Sequence, residues 1–226
     1  MNTKEKLDLL CNILIVVTII GAVAVYFNGE PDILGSKGGQ CFKYFTTDSN
    51  LLACLGSILY LGHQFYCRKN ARKVVPQWIT SLKFVGTVAA SITLFTVVLF
   101  LAPLSAIKGN GIPTFLMFFR GNVFVLHFFA PVLAIVSCLF LEREDTLPKK
   151  LVFFGMLPCV IYSLIYLTMV VFTKKWTDWY GFTFGGQYHI IPVVMIAMYL
   201  FTLLLSLAEW KIKARKSVEK LSESVL

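Results

Sequence analysis

NVFVLHFFAPVLAIVSCLFL, residues 122–141, runs for twenty positions without a Lys, Arg, Asp or Glu. At about 1.5 Å of rise per residue a helix of that length covers roughly 30 Å, the thickness of a bilayer's hydrocarbon core. Lipid offers no partner for free backbone groups, so a segment placed there has to be helical. Five more stretches share this character, at about 7–27, 45–66, 79–104, 151–173 and 189–209. The connections between them are too short for a separate soluble domain. With 57% of its 226 residues hydrophobic and 15% charged, the chain reads as an all-α polytopic membrane protein. Residues 1–210 form a six-helix transmembrane domain, and 211–226 a basic tail.

The formal charge of +9 raises the question of a nucleic-acid partner, and its distribution answers it. Fifteen of the 21 Lys and Arg residues fall at the N-terminus, between segments two and three, between four and five, or in the tail. Lys37, Lys43, Lys108, Arg120, Lys174 and Lys175 occupy the alternate loops. That bias places both termini on the cytoplasmic side of a cell membrane. The partners expected of the charge are anionic lipid headgroups, and no nucleic acid. Segment one has a small-residue Ala22-Val23-Ala24 site that a signal peptide would use, but it reads as a retained packing helix. Six scattered cysteines give no disulfide framework or paired metal motif, so no metal or cofactor is expected. Nothing specifies an oligomeric state.

Against this apolar background the polar residues stand out. Thr46-Thr47-Asp48-Ser49-Asn50 opens segment two at its outer end. These residue types cap helices, and a capping cluster is one reading of them; Asn50, a turn further in, exceeds what a cap needs. Segment four carries Arg120 and Asn122 at its outer mouth and His127 within it. Ionisable groups inside a membrane are costly and point to function, although a packing histidine is the alternative. Pro131 has no N–H, so the carbonyl of His127 loses its helical partner and the helix is expected to kink or open there. Tyr162 and Tyr166 share a face of segment five and read as core. The loop 174–188 is rich in Trp and Tyr, as an interfacial belt would be, and contributes Asp178, with His189 following it.

Alternating topology brings the outer ends of segments two, four and six to one leaflet. A hydroxyl and an imidazole at similar depth are the minimum for nucleophilic acyl transfer, in which the imidazole takes the hydroxyl proton and fixed donors hold the oxyanion. Free N–H groups at the start of segment two, Asn50 or Arg120 are candidate donors. Asp48 or Asp178 is a candidate to orient His127. Asn122, Thr47 and His189 complete the set of supporting or substrate-binding candidates.

Tyr44-Phe45-Thr46 followed by Ser49-Asn50-Leu51-Leu52 resembles the YFTxxSNLL signature of a bacterial family of six-helix membrane proteins. Leu101-Ala102-Pro103, the His127/Pro131 HxxxP pair and the Trp179-Tyr180 loop extend the resemblance over nearly the whole chain. That family is distantly similar to the androgen-induced and androgen-dependent transmembrane hydrolases, which cleave fatty-acid esters of hydroxy fatty acids. The resemblance implies Thr46 as nucleophile, His127 as its base and a lipid-like ester as substrate. Two positions depart from the pattern: Thr47 adds a second hydroxyl, and Asp48 stands where an amide is more usual. The same polar groups also suit a small transporter or lipid-binding protein, or a scaffold in which they only cap and pack.

Overall fold

A computed structural model describes residues 3–29, 38–69, 75–142, 147–183 and 185–223. Glu30, Pro31, Asp32, Lys37, Arg72, Lys73, Arg143 and Phe184 lie outside the described residues, as do the side chains of Arg68, Lys69, Lys216 and Lys220. Six long helices follow one another: α1 (Thr3–Asn28), α2 (Phe45–Lys69), α3 (Gln77–Lys108), α4 (Gly121–Leu141), α5 (Leu151–Phe172) and α6 (Ile191–Glu223). Five of them, all but α2, are long and apolar enough to cross a membrane. The chain is a helical membrane protein. Helix α2 has the length, at 25 residues, but it is polar at both ends, and the side chains of Thr46, Thr47, Ser49 and Asn50 turn inward and are buried.

Helix α3 lies deepest in the bundle; α2 packs between it and α1, α4 closes against α1 and α3, and α6 against α3. One apolar core joins Ile15, Ile19, Ala22 and Tyr26 of α1 to Ala53, Cys54 and Leu126; a second joins Phe84, Val88 and Ile92 of α3 to Cys138 and Cys159. The α2/α3 approach is so close that a Cβ on Gly86 would lie 2.9 Å from the Ala53 backbone. Small residues permit such contacts where helices meet in lipid. Large apolar side chains including Val17, Leu99, Leu164, Val193 and Leu204 cover the outside.

Two boundaries differ from the sequence expectation. Helix α3 does not end at about 104 but continues to Lys108 through a wide π turn at Val97–Leu101. Helix α6 runs on through the segment expected as a separate tail, and its Lys213 is buried. Helix α4 does open at His127, as expected, without ending there: Val125–Phe129 forms a π turn in which the Ala130 N–H reaches the Val125 carbonyl. In both α3 and α4 the widened turn ends two residues before a proline, Pro103 and Pro131. Letting one residue bulge moves the proline ring off the carbonyl it would strike, which is how a proline is accommodated inside a membrane helix. Such π bulges recur at functional sites.

Candidate active site

The first turn of α2 faces the π turn of α4, and the Thr46 hydroxyl lies 3.0 Å from Nε2 of His127. Both side chains are buried, at 7% and 5% exposure, so bulk water does not compete for the contact. The adjacent Thr47 hydroxyl, also buried, has no hydrogen-bond partner; geometry therefore separates the two threonines that the sequence left side by side. Nδ1 of His127 is buried without a well-formed hydrogen bond, and the Val123 carbonyl, one turn back, is the backbone acceptor that interacts with the ring. Phe118 covers the imidazole with ring centroids 6.2 Å apart.

Asn50 sets this geometry. Because the Ala130 N–H bonds to Val125, the carbonyl of Leu126 is left without its α-helical donor. The Asn50 amide supplies one at 2.8 Å, and its other hydrogen goes to the Thr46 carbonyl at 2.7 Å. Asn50 thus bridges the residue carrying the hydroxyl to the residue before the imidazole. With both hydrogens committed it is not an oxyanion donor, as the sequence had allowed. Nor is the start of α2 a row of free donors. The Tyr44 carbonyl takes the N–H groups of Thr47 and Asp48, and Phe45 N–H donates to the Tyr180 hydroxyl at 3.2 Å. Ser49 does not cap the helix; its hydroxyl meets the Thr46 carbonyl at 3.1 Å and Thr93 at 2.8 Å.

The other candidates are not drawn to the pair. Arg120 and His189 are exposed, and Asn122 is half-buried on the outer turn of α4. Asp48 points away from His127 into a separate open groove of about 1010 Å³, mouth included, walled by Phe154, Leu157, Ile161 and Ile165. Asp178 accepts four hydrogen bonds, from the Tyr166 hydroxyl, the Thr183 hydroxyl and the N–H groups of Phe182 and Thr183. Partial burial acts to raise its pKa, and the bonds from Thr183, Tyr166 and Phe182 outweigh this, holding the carboxyl below its ordinary value. Neither Asp48 nor Asp178 is hydrogen-bonded to His127, so the arrangement is a threonine–histidine dyad.

Asp178 instead latches the loop between α5 and α6. The aromatic segment expected as an interfacial belt folds inward, and Tyr180 and Phe182 cover a cavity on the far side of Thr46. This cavity, about 450 Å³ including its mouth, is lined by Thr46 and by apolar groups such as Ile92, Val97, Leu101 and Met198. Its enclosed space is about 50 Å³, below the roughly 300–1,000 Å³ of sites that bury a whole small molecule, so it takes the carbonyl end of a chain and not a complete lipid. A hydroxyl held by an imidazole and facing an apolar pocket can attack a carbonyl attached to an aliphatic chain.

A second polar cluster escaped the sequence reading. Asp8 and Asn12 of α1, Gln64 of α2, Lys83 of α3, Ser137 and Glu142 of α4 and its C-terminal edge, and Lys213 of α6 form one connected network. Lys83 donates to Ser137 at 2.8 Å and pairs with Glu142, which Lys213 meets at 2.5 Å. Lys83 and Lys213 had been counted with the cytoplasmic loop charges, and α1 taken as a plain packing helix. Gln64 lies eighteen positions after Thr46, about 27 Å along α2, so the network is remote from the dyad. Its contacts tie five helices together, and Lys83, which beside Ser137 has the makings of a serine–lysine pair, is engaged by Glu142.

No family model, curated protein or solved structure matches the chain.

Proposed function

We propose that this is a six-span protein of the cell membrane, both termini cytoplasmic, that hydrolyses a lipid or fatty-acid ester through Thr46 and His127 near the outer leaflet. The observation that carries the reading is the buried 3.0 Å contact between the Thr46 hydroxyl and His127 Nε2 beside an apolar cavity. The length of α2 supports counting it as a sixth span, and the Lys/Arg bias supports cytoplasmic ends.

In the reaction, a proton on Nδ1 directed at the Val123 carbonyl leaves Nε2 as the base. Thr46 Oγ1 adds to the ester carbonyl as its proton passes to Nε2. Collapse of the intermediate re-forms the carbonyl and expels the alkoxide, which takes that proton and leaves as the alcohol. Water then repeats the cycle on the acyl-threonine, releasing the acid. The ester carbonyl and the first carbons of the acyl chain enter the cavity under Tyr180 and Phe182, and the rest of the chain lies out through its mouth.

Purified protein with a long-chain 4-nitrophenyl ester tests this. Turnover is expected in wild type and in Thr47→Ala, and its loss in Thr46→Ala and His127→Ala. Wild-type turnover that persists in Thr46→Ala would sink the assignment; saturable retention of the ester without cleavage in any variant would favour a lipid-binding or carrier role.

A further inference from the structure

Resting on the hydrolase reading, we propose that the Tyr180 hydroxyl is the side-chain donor that holds the oxyanion formed when Thr46 attacks the ester carbonyl. Most usual sources of such a donor are otherwise engaged. Both Asn50 hydrogens are bonded to carbonyls, the N–H groups of Phe45, Thr47 and Asp48 have acceptors, and Arg120 is on the outside. Among the described residues the Thr46 N–H has no such acceptor and can serve as one donor; a second, side-chain donor comes from the cavity wall.

Besides Thr46, the hydroxyls there belong to Thr93, Thr96, Tyr162 and Tyr180. Thr93 is paired with Ser49, and Tyr162 donates to the Lys43 carbonyl at 2.6 Å. Tyr180 differs in that its oxygen already accepts the N–H of Phe45, the residue next to Thr46. With that lone pair occupied, its proton is what it has to give, and since the Tyr162 proton is committed to the Lys43 carbonyl, the Tyr162 oxygen is its acceptor in this structure. An incoming carbonyl oxygen next to Thr46 competes for that proton. Burial pushes the phenol's pKa up to about 12, over the lowering effect of its contacts with the Tyr162 hydroxyl and the Phe45 N–H, so the proton stays on oxygen at working pH.

The group is also held in place before substrate arrives. Tyr180 N–H donates to the Tyr166 hydroxyl at 3.2 Å, and that hydroxyl donates to Asp178 at 2.8 Å. A fixed donor in a dry site needs no reorganisation as charge develops. In the step itself the Thr46 Oγ–carbon bond forms, the carbonyl π pair moves to oxygen, and the threonine proton goes to His127. The Tyr180 proton is shared with the new oxyanion and not transferred.

The experiment compares steady-state hydrolysis of a long-chain 4-nitrophenyl ester by wild type, Tyr180→Phe, Tyr166→Phe and Thr96→Val, with thermal melts of each. For Tyr180→Phe the expected result is a kcat lower by about 100- to 1000-fold with KM unchanged. Tyr166→Phe loosens the loop but keeps the donor, so its effect should fall mainly on KM. A Tyr180→Phe kcat within about threefold of wild type overturns the proposal, as does an equal kcat loss in Tyr166→Phe or a loss confined to Thr96→Val. A wild type with no turnover overturns the hydrolase reading and this inference with it; turnover that ignores Tyr180 overturns this inference alone.

Discussion

Replacing Asn50 with Ala removes a bridge whose two ends can be costed separately. The Leu126 carbonyl has no α-helical donor, because the Ala130 N–H serves Val125, so losing the 2.8 Å amide bond leaves a buried acceptor unsatisfied. That penalty is about 1–3 kcal/mol. The Thr46 carbonyl keeps its bond from Ser49, so losing the 2.7 Å bond there costs about 0.5–1.5 kcal/mol. Together they amount to about 1.5–4.5 kcal/mol, which for a chain of this size lowers the melting temperature by roughly 3–18 °C. Releasing α2 from α4 also lets the hydroxyl drift from the imidazole, and a misplacement of about 1 Å costs on the order of 100-fold in rate. A thermal melt in detergent, paired with ester turnover on the same preparation, reads both effects; Asn50→Asp, which keeps the shape but not the two donors, should resemble Asn50→Ala. An unchanged melt combined with a kcat loss of about 100- to 1000-fold would refute the reasoning, since that is the signature of a side chain acting on the oxyanion and not on the helices.

Glu142→Ala should be among the most destabilising single changes, by about 3–5 kcal/mol, because it strands Lys83 and Lys213 in the interior; at a temperature where it is folded, its turnover per folded molecule should match wild type, and a melt equal to wild type would remove the network's structural role. Gly86→Ala should cost about 1–3 kcal/mol, since the new Cβ meets the backbone of Ala53 and not a flexible side chain; a neutral melt would show that α2 and α3 pack less closely than described. Asp178 has a folded-state pKa below its ordinary 3.8, so its hold on the loop is complete above that value and is lost as pH falls through the lower folded value. Fluorescence of Trp176 and Trp179 should therefore change below about pH 4 in wild type, while Asp178→Asn shows the altered signal at neutral pH; identical acid profiles for the two proteins would contradict the latch.

The helical class and the outer polar cluster were legible because the membrane imposes them: twenty apolar residues leave the backbone one choice, and alternating topology brings Thr46 and His127 to the same depth. Asn50 was visible as a residue too many for a cap. Its task was not, because that depends on which carbonyl the π turn orphans, and a sequence shows that Pro131 forbids a donor without showing which neighbouring turn widens. The inner network was hidden by the same rule that made topology readable. Lys83 and Lys213 fall where positive-inside charges belong, and only the register of α3 and α6 turns them toward Glu142. Tyr180 was seen as one aromatic among several, since the return of the loop over the cavity is a long-range event, fixed by the Phe45 N–H and by Asp178.

The hydrolase reading turns on which atom becomes acylated. Incubating wild-type protein with a fluorophosphonate and mapping the adduct by mass spectrometry addresses that atom directly. The expected result is a single adduct on Thr46, abolished by His127→Ala and unaffected by Thr47→Ala. An adduct on Thr47 or Ser49, or undiminished labelling of Thr46→Ala, would contradict it.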